Sequence, residues 1–245
     1  MKILVCISNV PDTTTKITFS DNDTQFNQNG VQFILNPYDE IALARAIELT
    51  DNGAGTVTVI HVGDASAEPT IRKALAIGAH DAVRVNAVPT DAFFVATQIA
   101  AYAKDQNFDL ILAGRESIDY NGAKVPAMLA EILDIPSVSI IKKLNIEGNM
   151  GVVEREIEGG KEVLAIPFPF VAGTAEGVAE WKIPNMRGIM SARTKPLQVL
   201  EPIEVQTSSK IVKFETPAPR GQVTLIDAAE PQKLVDLLHA EAKVI

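Results

Sequence analysis

The sequence predicts an α/β fold: a mostly parallel sheet with helices on both faces, an extra antiparallel hairpin and an extended C-terminal arm. Three observations predict it. Short apolar runs alternate with amphipathic stretches through the first two-thirds of the chain. After Pro136 the pattern becomes strand-like, and from Trp181 onward prolines and polar runs replace any sustained period.

Residues 3–7 (ILVCI) form the first strand, and a segment rich in Thr, Asp and Asn leads to a second extended run at 31–35. Asn36 and Pro37 then start a helix. Over 39–50 the residues Ile41, Ala42, Ala44, Ala46, Ile47 and Leu49 make one apolar face, while Asp39 and Glu40 favour its positive amino end. A strand at 56–62 closes on Gly63, a helix at 68–77 is capped by Gly78, and a further strand follows at 82–85. The amphipathic helix at 90–104 leads to a strand at 109–113. Beyond Pro136, the runs 140–146, 151–157 and 162–166 read as antiparallel strands, with Glu158-Gly159-Gly160 as a hairpin turn and 167–171 (PFPFV) as a further extended run. Five prolines fall between Trp181 and Arg220, so this stretch reads as an arm. It ends in an amphipathic helix over 227–242, where Ala228, Leu234, Leu237, Leu238 and Ala240 need a surface to bury them. A partner subunit is the preferred surface, and the chain's own core is the other.

A chain of 245 residues with 47% hydrophobic content buries a full core without staples. Cys6 is the single cysteine and sits in the first apolar run, which points to a reducing compartment, with the cytoplasm as the expected location. The apolar run at the amino end is far too short for a signal peptide or a membrane span, so no membrane insertion is expected. A net charge of −9 excludes non-specific nucleic-acid binding, which needs a basic face. The local exception is the run 187–195, with basic residues and no acid.

Catalytic signatures are missing. There is no GxxxxGK[ST], no GxGxxG between strand and helix, and no GxSxG elbow. His61, His80 and His239 are isolated, so no metal site is expected, and Cys6 reads as a small buried residue because apolar neighbours raise a thiol's pKa. No catalytic residue is assigned. The informative stretch is 108–136, FDLILAGRESIDYNGAKVPAMLAEILDIP: a buried strand ended by Gly114, a polar glycine loop, and a helix over 125–133. That places the loop at a strand's carboxyl end, where parallel sheets bind ligands and helix amino ends present N–H groups to phosphate.

Five segments in order, ILVCISNVPD, NPYDEIALARAIEL, GRESIDYNGAKVPAMLAEILDIP, VEREIEGGKEVLAIPFPFV and IPNMRGIMSARTKP, resemble the beta (small) subunit of electron-transfer flavoproteins over nearly the whole chain. The family usually has Lys-Arg where this chain has Ser8 and Asn9. The resemblance implies an adenine-nucleotide alpha-hydrolase-like fold and an electron carrier rather than an enzyme. It also implies a heterodimer whose alpha subunit holds most of one FAD, with AMP buried in the beta subunit. Electrons would pass from flavin dehydrogenases, such as acyl-CoA dehydrogenases, to a quinone reductase or other acceptor. Carried over by position, the AMP pocket comprises Cys6, Asn36, Pro37, Tyr38, Asp39, Val62, Gly114, Arg115, Glu116, Ser117, Ile118, Asp119, Tyr120, Asn121, Gly122, Ala123, Lys124 and Val125. Tyr38 is in addition expected near the flavin across the subunit interface.

One departure leaves two ligands open. Where AMP-type members carry Asn-Gln-Thr-Gly, this chain has Ala123-Lys124-Val125-Pro126, and Ala123 and Val125 lean toward members that hold a second FAD and bifurcate electrons. The resemblance further implies a partner-recognition segment with Lys182, Met186, Ile189 and Met190. Met186 stands at the family's anchoring leucine, and Lys182 where an arginine is usual. Methionine suits pockets of differing shape. The expected organisation is a core at 1–180, the recognition loop and basic segment at 181–197, and an arm at 198–245 whose terminal helix packs on the alpha subunit. A stand-alone adenine-nucleotide protein similar to universal stress proteins, and an adenylate-forming enzyme, are the competing readings.

Overall fold

The first strand decides the layout, because its side chains alternate between two apolar faces. In the computed structural model, which describes residues 1–245 apart from the Asn52 side chain, Lys2–Cys6 (β1) points Ile3 and Val5 to one core and Leu4 and Cys6 to another. A strand apolar on both sides belongs in the middle of a covered parallel sheet.

The chain continues through Asn9–Pro11 (β2), a small hairpin of Phe19–Ser20 (β3) and Gln25–Phe26 (β4), and Phe33–Leu35 (β5), which pairs back on β2. Pro37–Thr50 (α1), Thr56–Val62 (β6), Glu68–Ile77 (α2), Asp81–Val85 (β7), Ala92–Ala103 (α3), Leu110–Gly114 (β8) and Val125–Leu133 (α4) complete the alternating part. Ser137–Glu147 (β9), Met150–Ile157 (β10), Gly160–Pro167 (β11) and Phe170–Thr174 (β12) follow. Then come Met186–Ala192 (α5), Leu197–Leu200 (β13) and Pro231–Leu237 (α6), the last continued by one π turn at Leu238–Ala242.

Nine strands form one sheet in the order β11-β10-β9-β12-β8-β1-β6-β7-β13. Only β10 runs against its neighbours. Helices α1 and α2 cover one face, with Leu43, Ile71 and Leu75 fully buried, while α3 and α4 cover the other with Ile99 and Leu129. The chain moves outward from β1 through β6 to β7, then returns to place β8 on the opposite side of β1. The crevice beyond the carboxyl ends of β1 and β8 is therefore a topological switch point.

Three local expectations differ from the structure. The run 140–146 belongs to β9, which pairs antiparallel with β10 but parallel with β12, and its ladder shifts register where Ile140 takes φ 58°. The strand expected at 167–171 begins at Phe170, past Pro167 and Pro169, which bring no N–H to a central ladder. Within the stretch read as an arm, β13 extends the sheet beside β7, and α5 packs on α2 so closely that a Cβ on Gly188 would lie 2.3 Å from the Ala76 carbonyl oxygen.

Candidate functional site

At the switch point the loops after β1 and β8, the end of β6 and the start of α4 enclose a cavity of about 500 Å³. That size lies within the range of about 300–1,000 Å³ usual for small-molecule and cofactor sites. No side chain caps the amino end of α4, which leaves the Val125 and Ala127 N–H groups of its first turn without a capping oxygen, Pro126 between them having none.

The loop is held from below by α1. Asn36 is fully buried, and its amide does not cap the helix that it precedes. It donates to the Glu116 carbonyl at 2.9 Å and accepts from the Ile118 N–H at 3.3 Å. Asp39 joins both strand ends: one carboxyl oxygen accepts from Ser8 N–H and the other from Gly114 N–H, each at 2.8 Å. Gly114 is required for this approach, because a Cβ there would come within 2.5 Å of Asp39 Oδ1 and 2.6 Å of Tyr38 Cβ. Burial pushes the Asp39 carboxyl up to about 7 against the opposing hydrogen bonds from Gly114, Asn36 and Ser8.

Burial disfavours charge on the cavity floor. Burial, and then the nearby Asp39 carboxylate, push the Cys6 thiol well above its ordinary range, so it is no thiolate nucleophile. Burial lowers the pKa of His61, whose Nδ1 lies 2.9 Å from the Ile7 carbonyl oxygen. A carbonyl can only accept, so Nδ1 carries the proton and Nε2 is left as an acceptor. An apolar floor with a thiol, an acceptor nitrogen and a carboxyl suits a planar polar base better than it suits a charged group.

Of the residues expected in the pocket, Cys6, Asp39, Val62, Gly114, Glu116, Ser117, Asp119, Tyr120, Gly122, Ala123, Lys124 and Val125 line the cavity. Asn36, Pro37, Tyr38, Arg115, Ile118 and Asn121 do not. Asn36 acts beneath the loop. Tyr38 and Arg115 lie away from the cavity, with the guanidinium 5.5 Å from the ring centroid. Sequence reasoning missed Ser8, Asn9, His61, Asp91, Ser209 and Lys210, which also line it.

The expected recognition residues lie on or beside α5. Met186 and Met190 are 72% and 67% exposed, Ile189 is 40% exposed, and Lys182 is half-buried. Trp181 and Ile183, just before it in sequence, are exposed as well. The segment itself is fixed: Asn185 accepts from the Gly188 N–H, Arg72 donates to the Ala192 and Lys195 carbonyls, and Lys195 donates to the Leu75 and Ala79 carbonyls at the end of α2.

Residues 23–205 match the family model described as the electron transfer flavoprotein domain. The electron transfer flavoprotein subunit beta of Bacillus subtilis (strain 168) is 36% identical over 259 aligned residues, spanning all of both chains. That of Syntrophomonas wolfei is 34% identical across this whole chain and 98% of its own, and the human subunit is 29% identical over 94% of each. The chain therefore belongs to the electron-transfer flavoprotein family, among its beta subunits.

Proposed function

We propose that the chain pairs with an electron-transfer flavoprotein alpha subunit to form a heterodimeric carrier, with AMP in the switch-point cavity as a structural ligand. The observation that carries this reading is the cavity itself, lined both by a buried floor that disfavours charge and by the uncapped amino end of α4. The floor fits an adenine base and the helix end fits a phosphate. Ser8, Cys6 and His61 would surround the base, and the loop from Gly114 to Val125 would hold the phosphate through its backbone. FAD, when bound at the subunit interface, supplies the redox chemistry. Tyr38 and Arg115, outside the cavity, would face it.

The role proposed for this chain is to set distance and partner choice rather than to perform acid–base or nucleophilic steps. The exposed apolar side chains of Trp181, Ile183, Met186 and Met190 fit the docking of a flavin dehydrogenase such as an acyl-CoA dehydrogenase, with a quinone reductase as acceptor. Among the described residues no helix is long and apolar enough to cross a membrane, and the cytoplasm is the proposed location. A second FAD in place of AMP is the alternative, favoured by Val125, which brings no hydroxyl to the start of α4.

Co-expression with the alpha subunit, followed by denaturation and quantification of released nucleotide, tests the reading. One FAD and one AMP per heterodimer is the expected result. Two FAD and no AMP would establish the alternative. A chain that binds no alpha subunit and releases no nucleotide would overturn both.

A further inference from the structure

The part of the C-terminal arm next to the sheet is not free. Gln98 is 2% exposed in the otherwise apolar middle of α3, and its amide both donates to the Ile203 carbonyl at 2.7 Å and accepts from the Ile203 N–H at 2.9 Å. The arm thus supplies both partners of a buried amide that would otherwise be unsatisfied. About two turns earlier, at the N-cap of α3, Asp91 caps the helix by accepting from Phe94 N–H. Its second carboxyl oxygen accepts from the Ser208 and Ser209 N–H groups at 2.7 and 2.8 Å, and from the Ser208 hydroxyl at 2.9 Å. Burial would raise this carboxyl, but the bonds from Phe94, Ser209 and Ser208 prevail and bring it down to about 2, so the clamp stays ionised through the neutral range. Further on, Phe214 stacks on Phe19 with centroids 4.9 Å apart, and its N–H donates to the Asp23 carbonyl at 2.7 Å.

Between the second and third of these anchors the arm crosses the cavity, and Ser209, Lys210 and Ile211 form part of its wall. Apart from the buried Asp39, the wall carries Asp91, Glu116 and Asp119, and among the described residues its only lysine or arginine side chains are Lys124 and Lys210. These two lysines are the side chains placed to pair with an anionic ligand there.

We propose that residues 203–214 are a strap that closes the cavity, with Lys210 as a second binding cation for the phosphate of an adenine nucleotide. This rests on the reading of the cavity as a nucleotide site. Charge-assisted contact is worth enough that Lys210→Ala should weaken binding of added AMP to the nucleotide-stripped heterodimer about tenfold, with Lys210→Arg restoring most of it. Gln98→Leu, outside the cavity, should accelerate AMP release several-fold by loosening the strap. By linkage, AMP should slow tryptic cleavage after Lys210 in the unaltered heterodimer. FAD content and heterodimer assembly serve as controls for folding. Unaltered heterodimer that binds AMP while all three variants match it in affinity and release would overturn the strap and leave the nucleotide site standing. Unaltered heterodimer that binds no adenine nucleotide would overturn both together.

Discussion

Asp39 is the residue whose chemistry the fold alters most usefully. Its folded pKa of about 7 lies above the ordinary carboxylate value of about 3.9. The folded chain therefore keeps a proton that the unfolded chain has released. This group's contribution to stability is full below about pH 4 and is lost as pH rises to about 7, a total of about 4 kcal/mol at most. In Asp39→Asn an NH₂ group faces either the Ser8 or the Gly114 N–H, so the variant should be less stable at pH 5, with the gap narrowing by pH 8. Denaturant midpoints across that range check it, and parallel pH profiles would mean that Asp39 is ionised throughout. Ile140 offers the opposite test. A half-exposed β-branched residue at φ 58° is strained, and Asn tolerates that conformation, so Ile140→Asn should stabilise the isolated chain by about 1 kcal/mol. An unchanged or lower midpoint would show that the Ile140 side-chain contacts outweigh the backbone strain.

At the scale of elements, legibility followed local punctuation. The bounds of β6, α2 and α4 could be read directly because Gly63, Gly78 and Pro136 end their periods abruptly. Strand β13 could not. LQVL is four half-buried or exposed residues at a sheet edge, and nothing local says that its partner is β7, more than a hundred residues earlier. The cavity divides in the same way. Its loop after β8 was legible as a strand-glycine-helix corner, whereas Asp91 and Lys210 reach the site only through tertiary contact. A polar signal did exist: Gln98 interrupts the apolar run of α3, and a buried amide must find a partner. Two predictions belong here. Gly114→Ala forces β8 and α1 apart and should cost about 1–3 kcal/mol by overpacking, with loss of bound nucleotide. Equal stability would mean that α1 can shift freely. On α5, Met186→Asp places an acid at a helix amino end, where it is tolerated. It should leave melting and AMP content unchanged while weakening dehydrogenase docking at least tenfold; unaltered electron transfer at low dehydrogenase concentration would remove Met186 from the docking surface.

The whole molecule is a well-packed sheet with a long tail whose two halves differ physically. Up to Phe214 the tail is stapled to α3 and to the β3–β4 hairpin. Beyond it, Val223 and Leu225 are 72% and 89% exposed, Leu234 and Val235 remain about half exposed on α6, and α6 buries no residue. An amphipathic helix with only Leu237 and the adjoining Leu238 partly covered gains little from burial and is too short to persist on propensity alone. The same apolar residues become favourable if another subunit covers them, at about 25 cal/mol for each Å² removed from water. The tail should therefore be held by the alpha subunit rather than by this chain. Limited trypsin digestion separates the two halves. In the isolated chain, cleavage after Arg220 and Lys233 should precede cleavage after Lys210, because the strap is anchored and the remainder is not. Adding the alpha subunit should suppress the Arg220 and Lys233 cuts. If both sites resist trypsin in the isolated chain, α6 has found its own surface and the tail is not a docking element; if they stay open in the heterodimer, the alpha subunit binds elsewhere.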